Sequence, residues 1–128
     1  MSKILHTNHA PAAIGPYVQG VDLGNLVMTS GQIPLHPQTG EIPADIQAQT
    51  QQSLENVKAV VEASGLGVAD IIKMTVFVKD LNDFAAVNEI YGAFFDAHNA
   101  PYPARSCVEV ARLPKDVGIE IEAIAIRR

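Results

Sequence analysis

Tryptophan is absent from this sequence of 128 residues, aromatic residues make up only 5% of it, and cysteine occurs once, as Cys107. A lone cysteine closes no intrachain disulfide and supplies no cysteine-based metal set, so a reducing compartment, the cytoplasm, is the expected setting. No stretch approaches the roughly 18 uninterrupted apolar residues of a membrane-spanning helix. The amino-terminal residues carry one lysine and then His6, Thr7, Asn8 and His9, where an export signal would need an apolar run, and none is expected. Basic residues are scarce as well: 9 Lys and Arg stand against 14 Asp and Glu, a net charge of −5 divided almost evenly between the two halves of the chain. That balance leaves no basic arm to track phosphates, which speaks against a nucleic-acid partner. Gly15, Gly20 and Gly24 miss the spacing of a dinucleotide fingerprint, and no phosphate-loop lysine follows a glycine cluster. His6 and His9 are three apart but lie in an irregular amino-terminal stretch, His36 and His98 are scattered, and no carboxylate cluster completes a metal site. The expectation is a protein that uses neither a nucleotide cofactor nor a metal.

What is present is 48% hydrophobic and 18% charged residues, the balance of a folded globular chain, and the length suits one domain, residues 1–128. Val18, Val21 and Leu23 lie to one side of Gly24-Asn25 and Leu26, Val27 and Met28 to the other, a pattern that predicts an antiparallel hairpin. Pro34, Pro37, Gly40 and Pro43 then mark a long loop. Ile46, Thr50, Leu54, Val57 and Val61 recur at helical spacing between a capping Asp45 and Gly65, so a helix is predicted there. Over Ile71–Lys79 the period changes to two, which assigns Ile72, Met74, Val76 and Val78 to one side of a strand. Phe84, Val87, Tyr91, Phe94 and His98 predict a second helix, stopped by Asn99, Pro101 and Pro103. Tyr91, Phe94 and Phe95 read as core residues rather than a base-stacking platform. Two further strands follow, over Arg105–Ala111 and Ile119–Ile126.

The resulting class is α+β, a sheet with two helices packed on one face. The last strand carries Ile119, Ile121, Ala123 and Ala125 on one parity, and Ile124 and Ile126 at the end of the other. A strand apolar on both sides needs cover on both sides, and two helices on one face leave the second uncovered. An oligomer follows, with sites shared across its interfaces.

The segment Pro103-Ala104-Arg105-Ser106-Cys107 puts Arg105 and Cys107 on one strand face, just beyond a proline-stiffened turn. A guanidinium held there can bind a small carboxylate through two parallel hydrogen bonds, and the competing reading is a solvated strand-end arginine. Cys107 reads as an inert thiol, since no nearby His or Lys in the sequence lowers its pKa. Glu120, between Ile119 and Ile121, is either a partly desolvated proton acceptor or a solvent-facing strand residue.

Together these residues resemble the Rid family, also called the YjgF or L-PSP family. The resemblance rests on Pro103-Ala104-Arg105-Ser106-Cys107-Val108 with Ile119-Glu120-Ile121, on Ala13-Ile14-Gly15-Pro16-Tyr17 with Gln19, on Ser30-Gly31-Gln32, and on Asn88. It implies a chorismate-mutase-like fold with a mixed sheet, a homotrimer with clefts between subunits, and hydrolysis of 2-imino acids such as 2-iminobutanoate and 2-iminopropanoate to 2-keto acids and ammonia. No cofactor is implied. In that scheme Arg105 grips the substrate carboxylate and Glu120 acts through water. The backbone of Cys107 orients the imine, Tyr17 lines the side-chain pocket, and Ser30, Gly31 and Asn88 close the cleft. The substrates would come from pyridoxal-phosphate-dependent dehydratases, which the activity would protect from damage. The alternatives are a noncatalytic small-ligand-binding or holdase protein and an endoribonuclease or translation inhibitor, the latter a poor electrostatic match for an acidic chain.

Overall fold

In a computed structural model of the protein, which describes residues 2–128, eight main elements form a six-stranded sheet and two helices. They are β1 (Lys3–Leu5), β2 (Gly20–Asp22), β3 (Leu26–Thr29), α1 (Ile46–Ala63), β4 (Ile71–Val78), α2 (Phe84–Ala97), β5 (Ala104–Glu109) and β6 (Ile119–Ile126). The sheet order is β1-β2-β3-β6-β4-β5. Only β4 and β5 run parallel, because α2 carries the chain back between them. The other pairs are antiparallel, so the sheet is mixed.

The hairpin closes as expected, with Leu23 N–H donating to Leu26 O at 2.8 Å across Gly24-Asn25. Gly24 takes φ +98°, a conformation in which a side chain would be strained. α1 begins where Asp45 Oδ1 accepts from Ala48 N–H at 2.6 Å and ends just before Gly65. Leu54, Val57 and Val61 of this helix, Val87, Phe94 and Phe95 of α2, and Met74, Val76, Ile119 and Ile121 of the sheet belong to one buried cluster. Both helices therefore pack on one face. Each such aliphatic or aromatic side chain adds about 1.5–3 kcal/mol when fully removed from water.

Three expectations need correction. The stretch before Ala13 is not wholly irregular: Lys3–Leu5 forms an edge strand against β2. Ile72 does not share the inner face with Met74, Val76 and Val78. A bulge opens between Ile71 and Lys73, so Ile71 turns inward and Ile72 stays 39% exposed. The carboxy-terminal strand pair is also shorter at one point than its alternation suggests, since β5 ends at Glu109 rather than Ala111.

The loop over residues 31–43 is fixed from beneath. Buried Asn56 of α1 donates through Nδ2 to the carbonyls of Ile33 and Leu35, both at 3.0 Å, and Gln52 Nε2 donates to its Oδ1 at 2.9 Å. Gln19, also buried, ties down the segment before it by donating to Pro11 O at 2.8 Å and accepting from Thr7 N–H at 2.8 Å. Among the described residues no helix is long and apolar enough to cross a membrane. The sheet face away from the helices carries Met28 at 40% and Val108 at 44% exposure, with Ile124 and Ile126 half-buried near Met28.

Candidate active site

Two registers decide where the chemistry-bearing residues point. In the parallel pair, Arg105 lies beside Met74 and Cys107 beside Val76, which puts both on the helix side of the sheet. In the antiparallel pair, Glu120 lies opposite Phe77 and Glu122 opposite Thr75, the parity that faces away from the helices. Within a single chain the structure does not bring Arg105 and Glu120 together.

Instead each anchors its own cavity. One, of about 460 Å³, is lined by Ile14, Tyr17, Ser30, Gly31, Ile33, Pro114, Glu120 and Glu122. It unites four of the residues singled out from the sequence: Tyr17, Ser30, Gly31 and Glu120. The other, of about 330 Å³, holds Asn88 and Arg105 with Tyr91, Gly92, Tyr102 and Pro103. Cys107 follows Arg105 on the same strand face and is partly buried against the core.

In the first cavity Ser30 is locked, its N–H donating to Gln19 O at 2.8 Å and its Oγ to Val18 O at 2.6 Å. This places Gly31 directly against the Glu120 side chain. A Cβ on Gly31 would lie 2.9 Å from the Glu120 carboxyl carbon, closer than real Cβ contacts come. Burial pushes the pKa of Glu120 above its ordinary value, and the neighbouring charge of Glu122 pushes it further in the same direction. Gly31→Ala should therefore displace this carboxylate while leaving the fold intact. A fall in kcat of roughly tenfold or more, with an unchanged melting temperature, is the expected result, and an unchanged kcat would show that the close approach has no bearing on turnover.

In the second cavity the Arg105 guanidinium donates from Nη1 to Asn88 Oδ1 at 2.7 Å. Among the described residues no carboxylate ion-pairs with it. Its remaining N–H groups are thus available to an anionic ligand, the geometry suited to a planar carboxylate. Burial raises the pKa of the Cys107 thiol, and the lowering effect of Arg105 is smaller. A thiol of that kind stays protonated near neutrality and is a poor nucleophile.

Sequence reasoning did not single out Glu122, Tyr91 or Tyr102 as site residues. Glu122 was legible in principle, since it shares the parity of Glu120. Tyr91 and Tyr102 carried no such signal, because helical spacing and a flanking proline describe core and turn equally well.

The sequence profile of the endoribonuclease L-PSP family matches residues 7–127. The 2-iminobutanoate/2-iminopropanoate deaminase of Escherichia coli K12 is 74% identical over 128 residues, covering all of both chains. The crystal structure of E. coli TdcF with bound serine superposes with a TM-score of 0.98 at 71% identity, covering 98% of this chain and 99% of that one. The crystal structure of the YjgF gene product of E. coli gives 0.98 at 73% identity with the same coverage.

Proposed function

The chain belongs to the endoribonuclease L-PSP family, the Rid or YjgF family that its motifs resemble, and on that premise we propose how its two half-sites act as one. The protein is a hydrolytic deaminase of 2-imino acids, 2-iminobutanoate and 2-iminopropanoate, and of their enamine tautomers, releasing 2-keto acids and ammonia. One observation carries the mechanistic reading: a guanidinium without a carboxylate partner among the described residues and a half-buried carboxylate occupy opposite faces of the same sheet. A complete site then requires a second copy, whose Glu120 cavity meets the Arg105 cavity of the first. The exposed apolar residues Met28 and Val108 on the open sheet face support such an assembly, since contact between copies would remove them from water.

In the joined cleft Arg105 grips the substrate carboxylate through its free N–H groups. Glu120 takes a proton from a water molecule as that water adds to the imine carbon. The adduct is a carbinolamine. Glu120 returns the proton to its nitrogen, then passes the hydroxyl proton to that same nitrogen as the C–N bond breaks, which leaves the carbonyl and releases ammonia. The backbone of Cys107 orients the imine nitrogen or the water, a role independent of its protonated thiol. Tyr17 lines the side-chain pocket, while Ser30, Gly31 and Asn88 shape the cleft. Imines hydrolyse unaided in water, so positioning contributes more here than a strong nucleophile would.

The substrates arise where pyridoxal-phosphate-dependent dehydratases release enamines from serine or threonine, and their removal protects such enzymes in a cytoplasmic setting. RNA cleavage, the activity in the family's name, fits this chain poorly: the net charge is −5, and Glu120 and Glu122 would repel phosphate in the larger cavity. The direct test couples the protein to a threonine dehydratase and times 2-ketobutyrate release against a buffer blank. Acceleration is expected, and its absence would return the cleft to a noncatalytic binding role. Sedimentation should show three copies, the number the family implies, whereas a fully active monomer at assay concentration would overturn the shared cleft.

A further inference from the structure

The Arg105 guanidinium is held by one stripe of α2. Phe84, Asn88 and Tyr91 fall at i, i+4 and i+7, so they stand above one another on the helix face turned toward the Arg105 side chain. Asn88 Oδ1 accepts from Nη1 at 2.7 Å, the Tyr91 ring centroid lies 4.8 Å from Cζ, and the Phe84 ring centroid lies 5.5 Å from it. The two rings differ in support. Phe84 is 41% exposed, whereas Tyr91 is only 6% exposed and leans on the Phe95 ring at a centroid distance of 5.0 Å. The Tyr91 hydroxyl is buried without a hydrogen-bond partner among the described residues. It is therefore the ring, and not the hydroxyl, that engages the arginine.

We propose that Tyr91 is a positioning residue for the deaminase reaction: its ring, with the Asn88 amide, fixes the plane of the Arg105 guanidinium so that the free N–H groups meet the substrate carboxylate in a set orientation. A guanidinium held only by the amide could rotate about that one hydrogen bond. The Tyr91 ring, its centroid 4.8 Å from Cζ, restricts that rotation, and the cation–π attraction does so without consuming any donor. The idea rests on the carboxylate-gripping role of Arg105 proposed above.

Tyr91→Phe and Tyr91→Leu separate the ring from mere bulk, and Arg105→Ala serves as the reference. Turnover of 2-iminopropanoate is followed by pyruvate release, with assembly and melting temperature checked for each variant. Tyr91→Phe should keep KM and kcat within about twofold, because its ring remains. Tyr91→Leu keeps an apolar side chain but loses the π face, and it should raise KM roughly fivefold or more with a smaller change in kcat. A purely structural role would reduce the fraction of working enzyme, and with it kcat, and would leave KM unchanged. A normal KM for Tyr91→Leu, or equal damage from both variants, overturns the proposal. Should Arg105→Ala also keep a normal KM, the carboxylate grip itself is wrong; should it raise KM while Tyr91→Leu does not, only the positioning role falls.

Discussion

Arg105→Lys should lose at least about tenfold in kcat/KM, about 1.4 kcal/mol of transition-state stabilisation, although it keeps the positive charge. The reason lies in the division of labour on the guanidinium. One nitrogen is committed to Asn88 Oδ1, and the others are left to present parallel donors. A lysine ammonium is a single point and cannot bond Asn88 and a bidentate carboxylate in that arrangement. Arg105→Ala should lose at least as much. Because the guanidinium serves no ion pair within the described residues, neither change should disturb folding. Steady-state kinetics on 2-iminobutanoate, with melting curves alongside, decide the matter: normal turnover by Arg105→Lys would rule out bidentate recognition.

An effect of roughly 100-fold or more in kcat is expected for Glu120→Gln, which preserves size and much of the hydrogen bonding but cannot accept a proton. Cys107→Ala should keep most of its activity, since only the backbone of that residue enters the mechanism. An inactive Cys107→Ala beside an active Glu120→Gln would reverse the assignment. The pH dependence follows from burial. With its pKa raised above the ordinary glutamate value of 4.5, Glu120 loses its basic form at a higher pH than a solvated glutamate would, and the acid limb of kcat should lie correspondingly high. Removing the neighbouring charge by Glu122→Gln should move that limb down. Stability moves the opposite way: a carboxyl with a raised folded-state pKa favours the fold most below its unfolded pKa, and that contribution is lost as pH rises through the folded value. Glu120→Gln should therefore melt no lower than the parent protein at neutral pH while turning over far more slowly.

Local signals made much of the fold legible. Asp45 and Gly65 bracket α1 because a capping carboxylate and a residue tolerant of positive φ leave marks in the sequence itself. Lys3–Leu5 left none, being a three-residue strand that exists only through its pairing with β2. Ile72 misled for a related reason. Strict alternation assumes an unbroken ladder, and the bulge that turns this side chain outward is a property of the β4–β6 pairing rather than of β4. The reacting residue types, Arg105 and Glu120, could be picked out along with their motifs. Their placement on opposite faces could not, because it depends on β4 pairing in parallel with one strand and antiparallel with the other.

The strand order also bears on how the chain reaches this state. β6 comes after every other element in the sequence, yet it lies between β3 and β4, and its Ile124 and Ile126 pair with Met28 and Leu26 from near the opposite end of the chain. Until that segment arrives, the sheet is two separate pieces, each with an unpaired edge. Contacts so distant along the chain must overcome loop-closure entropy before they yield any stabilisation. During synthesis, the edges of β3 and β4 that β6 will join stay open until β6 has left the ribosome, and open strand edges are where partly folded chains aggregate.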